Sequence, residues 1–213
     1  VANATTEDAS LIAPADYYKY TYALDALGFK YIFDYAKARQ KPCVINFSEG
    51  AREDFHGDDQ LYYELLDSLS GPGRIIVSSA GNDGHNLNYV RKPVGMASSG
   101  LFIRSSRKTM SVTTRASADF AFQLKFYPSG QSPVTRNYTL SALLSATDST
   151  IKDSLLIDTV SFYITAAAYA DSYDTGLTAA DWVLTSSARL SHLPISVELT
   201  GSDADVELYR VSG

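Results

Sequence analysis

The spacing of apolar residues changes near residue 92, and this change constrains the fold more than any other feature of the sequence. Before it, apolar residues recur at intervals of three and four, which is the spacing of amphipathic helices. After it, short alternating segments are separated by Ser, Thr, Gly, Pro and Asp, as is typical of antiparallel sheets. We therefore predict an α/β region over residues 1–92 and an all-β region over residues 93–213.

The first region has the pattern helix, strand, helix, strand. A helix is predicted within Asp16–Arg39, and Lys41-Pro42 ends it. Cys43–Phe47 is predicted to be a short strand that is buried on both faces. A second helix, capped by Asp58 or Asp59, precedes the strand Arg74–Ser79. Two strands joined in this way form a right-handed parallel βαβ unit, so the loops that follow them should leave the same edge of the sheet.

Alternating apolar residues predict about eight strands in the second region. Phe120, Phe122, Leu124 and Phe126 share one face of a predicted strand, as in a half-buried sheet. The predicted strands are Leu101–Arg104, Met110–Thr114, Phe120–Tyr127, Tyr138–Ser145, Ile157–Ala167, Trp182–Leu190, Ile195–Leu199 and Val206–Val211. Turn-rich spacers between so many strands indicate an antiparallel sandwich or jelly roll.

Composition argues against several classes of function. The net charge is -6 and no dense Lys/Arg cluster occurs, so nucleic acid is not a predicted partner. The apolar runs are far shorter than the roughly 20 residues that cross a bilayer, so no membrane span is predicted. Cys43 is the single cysteine, which excludes an internal disulfide.

Acidic residues outnumber basic ones beyond Lys152, and oxygen-rich loops of β-sandwiches can bind calcium. No EF-hand-like spacing is found among them, so solvated turns are the expectation. No cofactor is predicted, no metal ligand is assigned, and a structural calcium has no support from a motif.

Small and amide residues follow both predicted strands of the first region. The first strand leads into Ser48-Glu49-Gly50, and the second leads into Ala80-Gly81-Asn82. Ligands of parallel sheets bind at the carboxyl ends of the strands, and small residues there allow an extended peptide to approach and pair. The amide of Asn82 could donate a hydrogen bond to charge that develops on a substrate carbonyl. Alternatively, Asn82-Asp83-Gly84 is only a turn, since Asn and Gly both tolerate positive φ.

In their order, the segments between Tyr17 and Gly84 resemble the central βαβ region of subtilisin-like serine proteases. The resemblance implies that Asn82 is the oxyanion-hole residue. It implies roles in the peptide-binding cleft for Ser48, Glu49 and Gly50, through their backbone, and in a wall of the primary specificity pocket for Ala80 and Gly81. Glu49 stands where the family usually has an apolar residue, which implies a preference for basic substrate side chains in place of a hydrophobic outer subsite.

The same resemblance implies that catalytic groups lie outside this sequence. Subtilisin-like enzymes have the chain order Asp, His, Ser, and the oxyanion Asn lies between the His and the Ser. No Gly-Thr-Ser nucleophile motif is present. The chain is therefore expected to begin after the His and to end before the Ser. The β-rich region is then an inserted jelly-roll-like domain, an arrangement similar to that of some clostridial and Bacteroides-type subtilases.

The resulting hypothesis is a fragment of a secreted or cell-envelope-associated bacterial serine endopeptidase, which hydrolyses peptide bonds when it is intact and is inactive as this fragment alone. Its implied partners are a peptide or protein substrate and the missing remainder of the catalytic domain. The alternative is a non-catalytic module that binds glycans or proteins, or a pseudoprotease, because a jelly roll does not by itself decide function.

Other residues with catalytic potential have simpler interpretations. His56 follows the Ser48 segment, which is the wrong order for a subtilase base, and is predicted to be a surface loop histidine. Asp174-Thr175-Gly176 does not follow an apolar strand and is predicted to be a turn. His85 and His192 have no companion at metal-ligand spacing.

Overall fold

A computed structural model of the chain describes residues 22–48, 55–57, 60–79, 88–103 and 105–212. The chain forms two compact units. The first comprises Val1–Asp54 and Asp58–Asn82, and the second comprises Phe55–Gly57 and Asp83–Gly213. The second unit therefore includes a short segment that lies, in sequence, between elements of the first.

The described residues of the first unit form two helices and two parallel strands. They are α1 (Tyr22–Ala38), β1 (Cys43–Phe47), α2 (Gln60–Leu69) and β2 (Arg74–Ser78). In the parallel register, Cys43 is opposite Arg74 and Phe47 is opposite Ser78. Gly73 has a φ of 76°, in the left-handed region that favours glycine, and turns the chain between α2 and β2. The predicted start of the first helix and both predicted caps of the second helix lie outside the described residues.

The helices cover one face of the parallel pair. Phe29 and Phe33 of α1 are buried with Ile45 of β1, and the ring of Phe29 meets Phe47 edge-on at a centroid distance of 4.9 Å. The opposite face carries Val44, Ile75 and Val77, which are 63%, 52% and 48% exposed. The prediction that Cys43–Phe47 is buried on both faces is therefore wrong for this structure, because the helices within the described residues pack on one side only.

The second unit is an antiparallel β-sandwich. Its strands are β3 (Tyr89–Lys92), β4 (Ser98–Ile103), β5 (Thr109–Ala116), β6 (Ala121–Phe126), β7 (Val134–Thr139), β8 (Thr150–Ile157), β9 (Val160–Ala170), β10 (Thr178–Ser186), β11 (Ile195–Thr200) and β12 (Val206–Ser212). One sheet has six strands in the order β3-β12-β5-β10-β9-β8, and the other has four in the order β4-β11-β6-β7. Strands β3 to β6 alternate between the sheets, as in a jelly roll, and the hairpin β8-β9 extends the larger sheet.

Strand β3 lies on the α/β side of the predicted boundary at residue 92, yet it pairs with β12 in the six-stranded sheet of the second unit. Its Lys92 is fully buried, and the ammonium group donates to the carbonyl oxygens of Gly201 and Ala204. This contact joins the end of β3 to the turn between β11 and β12.

Three predicted strands differ from the structure. The strand predicted over Trp182–Leu190 corresponds to β10, which begins at Thr178 and ends at Ser186. Instead of a strand over Tyr138–Ser145, β7 ends at Thr139 and a helix, α3, occupies Leu140–Ser145. Thr139 caps this helix by accepting a hydrogen bond from the backbone N–H of Ala142 at 3.1 Å. Strand β8 was not predicted because its Lys-Asp-Ser centre interrupts the apolar alternation. The predicted strand Ile157–Ala167 in fact spans a tight turn at Asp158, where φ is 52°.

The sandwich core is built on aromatic side chains from both sheets. Phe122 of β6 stacks on Trp182 of β10 at a centroid distance of 4.2 Å and an interplanar angle of 5°. The indole N–H of Trp182 donates to Thr114 Oγ1 at 2.8 Å, so this buried polar group has a partner. The predicted apolar face of β6 is confirmed, since Phe120, Phe122, Leu124 and Phe126 are all buried.

Candidate functional site

The carboxyl ends of β1 and β2 lie at one edge of the parallel pair. The backbone N–H of Ser79 donates to the carbonyl of Phe47 at 3.2 Å, which extends the pairing just past β2. Ser48, the next residue after Phe47, is exposed and has left the strand. Ser48, which begins one segment of the predicted site, and Ser79, which precedes the other, therefore lie at the same edge of the pair, and ligands of parallel sheets bind at such edges.

Ser48 is the predicted site residue that the structure describes. Glu49, Gly50, Ala80, Gly81 and Asn82 lie outside the described residues, and so does His85. The oxyanion role of Asn82 and the cleft roles of the other residues stay predictions.

A group of polar and aromatic side chains in mutual contact lies on the outer face of the six-stranded sheet. Asp181 of β10 is hydrogen-bonded to His56 Nε2 at 2.9 Å, and its other oxygen accepts from Thr113 Oγ1 at 2.6 Å. The hydroxyl of Tyr169 donates to the same carboxylate at 3.2 Å. The imidazole of His56 also stacks on the ring of Tyr169, with centroids 3.7 Å apart and an interplanar angle of 17°. His56 is thus held by a carboxylate and an aromatic ring at once.

A buried ion pair lies beside this group. Arg115 of β5 bonds Asp171 through Nε at 2.5 Å and Glu207 through a terminal nitrogen at 3.2 Å. Burial by itself would raise the pKa of Asp171, but the hydrogen bonds from Arg115 and from the backbone N–H groups of Asp174 and Tyr173 hold that pKa below its ordinary value. The ring of Phe55 covers the Arg115 guanidinium at 4.6 Å.

The sequence predicted that His56 is a surface loop residue. This prediction agrees with its partial exposure but did not include its contacts with Asp181 and Tyr169. Its side chain is 47% exposed, but it is hydrogen-bonded and stacked. The available signal was Phe55, an aromatic residue in an otherwise polar segment, which indicates packing. The turn predicted at Asp174–Gly176 is confirmed, because the carboxylate of Asp174 accepts from the N–H of Gly176 at 3.0 Å and its carbonyl accepts from Leu177 at 2.9 Å.

An open, mostly apolar pocket lies at one end of the four-stranded sheet. Its volume is about 590 Å³. It is lined by Phe102, Ile103, Ser105, Ser106, Leu190, Ser191, Leu193 and Pro194. Pockets of this size and character can receive a small apolar ligand or a side chain.

The described ranges, which omit residues 49–54 and 80–87 among others, contain neither a candidate metal centre nor a helix that could span a membrane. No cluster of three or more His, Cys, Asp or Glu residues there could hold a metal ion. None of the helices described is both long and apolar enough to cross a membrane.

Comparisons with known proteins give a likeness of fold. No protein-family model matches the sequence. No curated protein matches it either. Among solved structures, the CspB protease of Clostridium perfringens matches with a TM-score of 0.61 and 14% sequence identity, over 97% of this chain and 42% of that one. The chain thus spans less than half of the protease chain that it matches, and at this identity the likeness shows the fold alone.

Proposed function

We propose that the chain is part of a subtilisin-like serine endopeptidase and contributes the oxyanion-hole residue and one side of the substrate cleft. The observation that carries the proposal is the fold likeness to a protease over 97% of the chain. The sequence resemblance supports it separately, because it rests on the residues at the ends of β1 and β2. In this proposal the β-sandwich is a domain inserted after the Asn82 segment, and the intact enzyme is secreted or attached to the bacterial cell envelope.

The proposed chemistry is acyl transfer. A serine supplied by the remainder of the catalytic domain attacks the substrate carbonyl, and the side-chain amide of Asn82 donates a hydrogen bond to the oxyanion that forms. The backbone of Ser48, Glu49 and Gly50 pairs with the extended peptide. Ala80 and Gly81 leave room for the substrate side chain because their own side chains are small or absent. The acid and the base are likewise proposed to come from the remainder of the domain, so the present residues alone are inactive.

The bare face of the parallel pair supports this view of the first unit. Parallel strands are covered on both faces in nearly all α/β proteins. Val44, Ile75 and Val77 leave an apolar surface uncovered on the face opposite the helices. A larger parallel sheet with helices on both sides would bury these side chains, as the proposed catalytic domain requires.

A non-catalytic binding module is the second candidate, and the pocket beside Phe102 and Leu190 favours it. In that case the β-sandwich would bind a glycan or a protein and the first unit would serve as a scaffold. The two candidates differ in one measurable property, which is the presence of an activated serine in the full-length protein.

Labelling of the processed full-length protein with a fluorophosphonate probe tests the proposal. A serine endopeptidase is expected to become covalently labelled, and the labelling should be blocked by prior heat denaturation. Absence of labelling after complete processing would overturn the enzyme proposal and favour the binding module.

A further inference from the structure

We propose that the pocket at one end of the four-stranded sheet binds a small amphipathic carboxylate that is free in solution. The apolar body of the ligand lies in the pocket, and its carboxylate lies at the edge. The pocket has a volume of about 590 Å³, which is within the range of small-molecule sites. It belongs entirely to the second unit, so binding here does not depend on the peptidase activity proposed above.

The inner part of the pocket is apolar. Ile103, Leu190 and Leu193 are buried and belong to the core of the sandwich. Phe102 differs from them because it is 61% exposed, and its ring lies 5.7 Å from that of Tyr127 between centroids. An apolar chain that packs against Phe102 removes this surface from water, and that burial favours binding.

Backbone hydrogen bonds hold the two chain segments that line the pocket. The N–H of Leu190 donates to the carbonyl of Arg107 at 2.9 Å. The N–H of Tyr127 donates to the carbonyl of Pro194 at 3.0 Å, which ties the second segment to the end of β6. The N–H of Arg107 also donates to Ser105 Oγ at 3.0 Å. The lining is therefore ordered before a ligand arrives, which lowers the entropic cost of binding.

Three exposed basic residues, here called the rim, adjoin the lining residues: Arg107, Lys108 and Arg189. Arg107 and Lys108 follow Ser106 directly, and Arg189 precedes Leu190. The bond between Leu190 and Arg107 brings the two segments side by side. Within the part of the chain that the structure describes, no rim residue forms an ion pair. Their charges are thus available to an anionic group of a ligand.

The local charge is opposite in sign to that of the whole chain. The net charge is -6, yet residues 101–118 and 182–197, which include every lining residue, contain no Asp or Glu. An anion at the rim is therefore attracted by cations and is not repelled by a carboxylate of these segments. The exposed hydroxyls of Ser106 and Ser191 can donate hydrogen bonds to it. A neutral sugar would leave the rim unused and an ammonium group would be repelled, so a carboxylate on an apolar body fits both parts of the site.

Isothermal titration calorimetry of the full-length protein tests the site with octanoate, octanol and octylammonium. These probes share an apolar body and differ in the charge of the head group. Octanoate should bind about tenfold more tightly than octanol, and octylammonium should bind most weakly. The advantage of octanoate should shrink at high salt, because exposed charges are screened. Equal dissociation constants for the three probes would overturn the proposal, and so would an absence of octanoate binding.

Reversal of the rim tests the charge. Arg107→Glu combined with Arg189→Glu should weaken octanoate binding about tenfold, leave octanol unaffected and strengthen octylammonium binding. Lys152→Glu changes an exposed lysine of β8 and is the matched control, which should keep the wild-type affinities. An unchanged preference for octanoate in the doubly reversed variant would refute the role of the rim.

Two variants test the apolar part of the pocket. Phe102→Ala should weaken octanoate and octanol alike, by about tenfold, because apolar contact area is lost for both. Ser191→Trp places a large side chain at an exposed lining position and should block both probes. Tyr163→Ala, an exposed aromatic residue of β9, is the control and should bind as the wild type does. Unchanged affinities in Phe102→Ala and Ser191→Trp would place the ligand elsewhere and overturn the proposal.

An acidic segment of a partner protein is the competing occupant, since it also combines an apolar side chain with carboxylates. The peptide acetyl-Glu-Leu-Glu-amide distinguishes the two in a competition titration against octanoate. Failure of the peptide to displace octanoate at an equal concentration supports the small carboxylate. Displacement at about one tenth of the octanoate concentration would show a protein-docking site and refute the proposal.

Discussion

Arg115 and Asp171 join the centre of the six-stranded sheet to the connection between β9 and β10 through an ion pair with a completely buried carboxylate. One oxygen of Asp171 meets Arg115 Nε at 2.5 Å, and the other accepts from the N–H groups of Tyr173 and Asp174 at 2.9 and 2.8 Å. Charge-assisted hydrogen bonds of this kind favour the ionised carboxylate. The pair also supports the guanidinium on which Phe55 lies, so it links the stability of the sheet to the position of Phe55.

Asp171→Asn should destabilise the second unit strongly. The substitution removes the negative charge and leaves the Arg115 cation with the partly exposed Glu207 as its remaining carboxylate partner, and breaking a buried pair typically costs about 3–5 kcal/mol. Because Glu207 compensates in part, we expect the lower end, about 3 kcal/mol. The single tryptophan, Trp182, is buried in this unit, so its fluorescence in a urea titration reports the change.

Asp67→Asn is the control for that substitution, since Asp67 is an exposed residue of α2. Its free energy of unfolding, measured by the fluorescence of Trp182, should stay within about 0.5 kcal/mol of the wild-type value. A midpoint for Asp171→Asn that equals that of Asp67→Asn would refute the structural importance of the buried pair.

The second unit should lose stability in acid through its depressed carboxyl groups. Burial opposes ionisation of Asp171, but its hydrogen-bond partners hold its pKa below the ordinary value of 3.8. The hydroxyl of Tyr138 is the main group that lowers the pKa of Asp153. A carboxyl group whose pKa is lower in the folded state stabilises the fold above its unfolded pKa, and this contribution is lost as the pH falls through the folded pKa. Stability from these groups should therefore be constant from pH 7 to about 5 and should decline below about pH 4.

Urea titrations of Trp182 fluorescence between pH 7 and pH 2 measure this decline. In the Asp171→Asn variant, the free energy of unfolding should fall less steeply with pH below pH 4. The reason is that the variant has lost one carboxyl group that binds a proton on unfolding. An identical slope in the wild type and the variant would contradict the assignment of Asp171 as a linked group.

The pairing of β4 with β11 requires glycine at position 100. A Cβ built on Gly100 would collide with the carbonyl oxygen of Val197 and would lie 3.0 Å from Glu198 Cα. Both are backbone atoms of the neighbouring strand, so they cannot move away as a flexible side chain can. Gly100→Ala should therefore destabilise the second unit by about 1–3 kcal/mol, measured by thermal unfolding.

Gly28→Ala is the contrasting variant, since a Cβ at this position of α1 meets nothing within 4 Å. It should be neutral or stabilising, by up to about 1 kcal/mol, because alanine favours helix more than glycine does. A loss of stability in Gly28→Ala as large as that in Gly100→Ala would show that the close approach of β4 to β11 is not the cause.

The hydrogen bond from the indole N–H of Trp182 should require a hydroxyl group at position 114. Thr114→Val keeps the shape of the side chain but leaves the indole N–H buried without its acceptor, which costs about 1–3 kcal/mol. Thr114→Ser keeps the acceptor and should cost less, since it loses one methyl group. Urea unfolding of both variants gives the comparison, and a valine variant as stable as the serine variant would contradict it.

Sequence patterns predicted those helices and strands in which buried residues recur at a regular spacing along the chain. The face of β6 from Phe120 to Phe126 was found because one side of a sandwich sheet is buried and the other is not. Helix α3 was missed because Leu140 and Leu143 are buried at a spacing of three, within a helix too short to repeat that spacing. The edge shared by Ser48 and Ser79 followed from the order of strand, helix and strand.

Other features depend on contacts that no local period records. His56 meets Asp181, which is 125 residues away, so its role is set by tertiary structure alone. Val44 and Val77 are as apolar as buried strand residues, and the sequence does not say whether a second layer covers them. The order of helices and strands in the first unit was thus readable from spacing, while the contacts of His56 and the bare face required coordinates.

Asn82→Ala in the full-length protein tests the catalytic assignment most directly. If Asn82 donates to the oxyanion, the loss acts on the transition state and not on the bound substrate. Turnover should fall about 10²- to 10³-fold, the range known for this donor in subtilisin itself, and KM should change little. Asn137→Ala, an exposed residue of β7, is the control and should keep wild-type kinetics. Near-normal kcat in Asn82→Ala would remove the residue from the oxyanion hole, whereas an equal loss in both variants would indicate a folding defect.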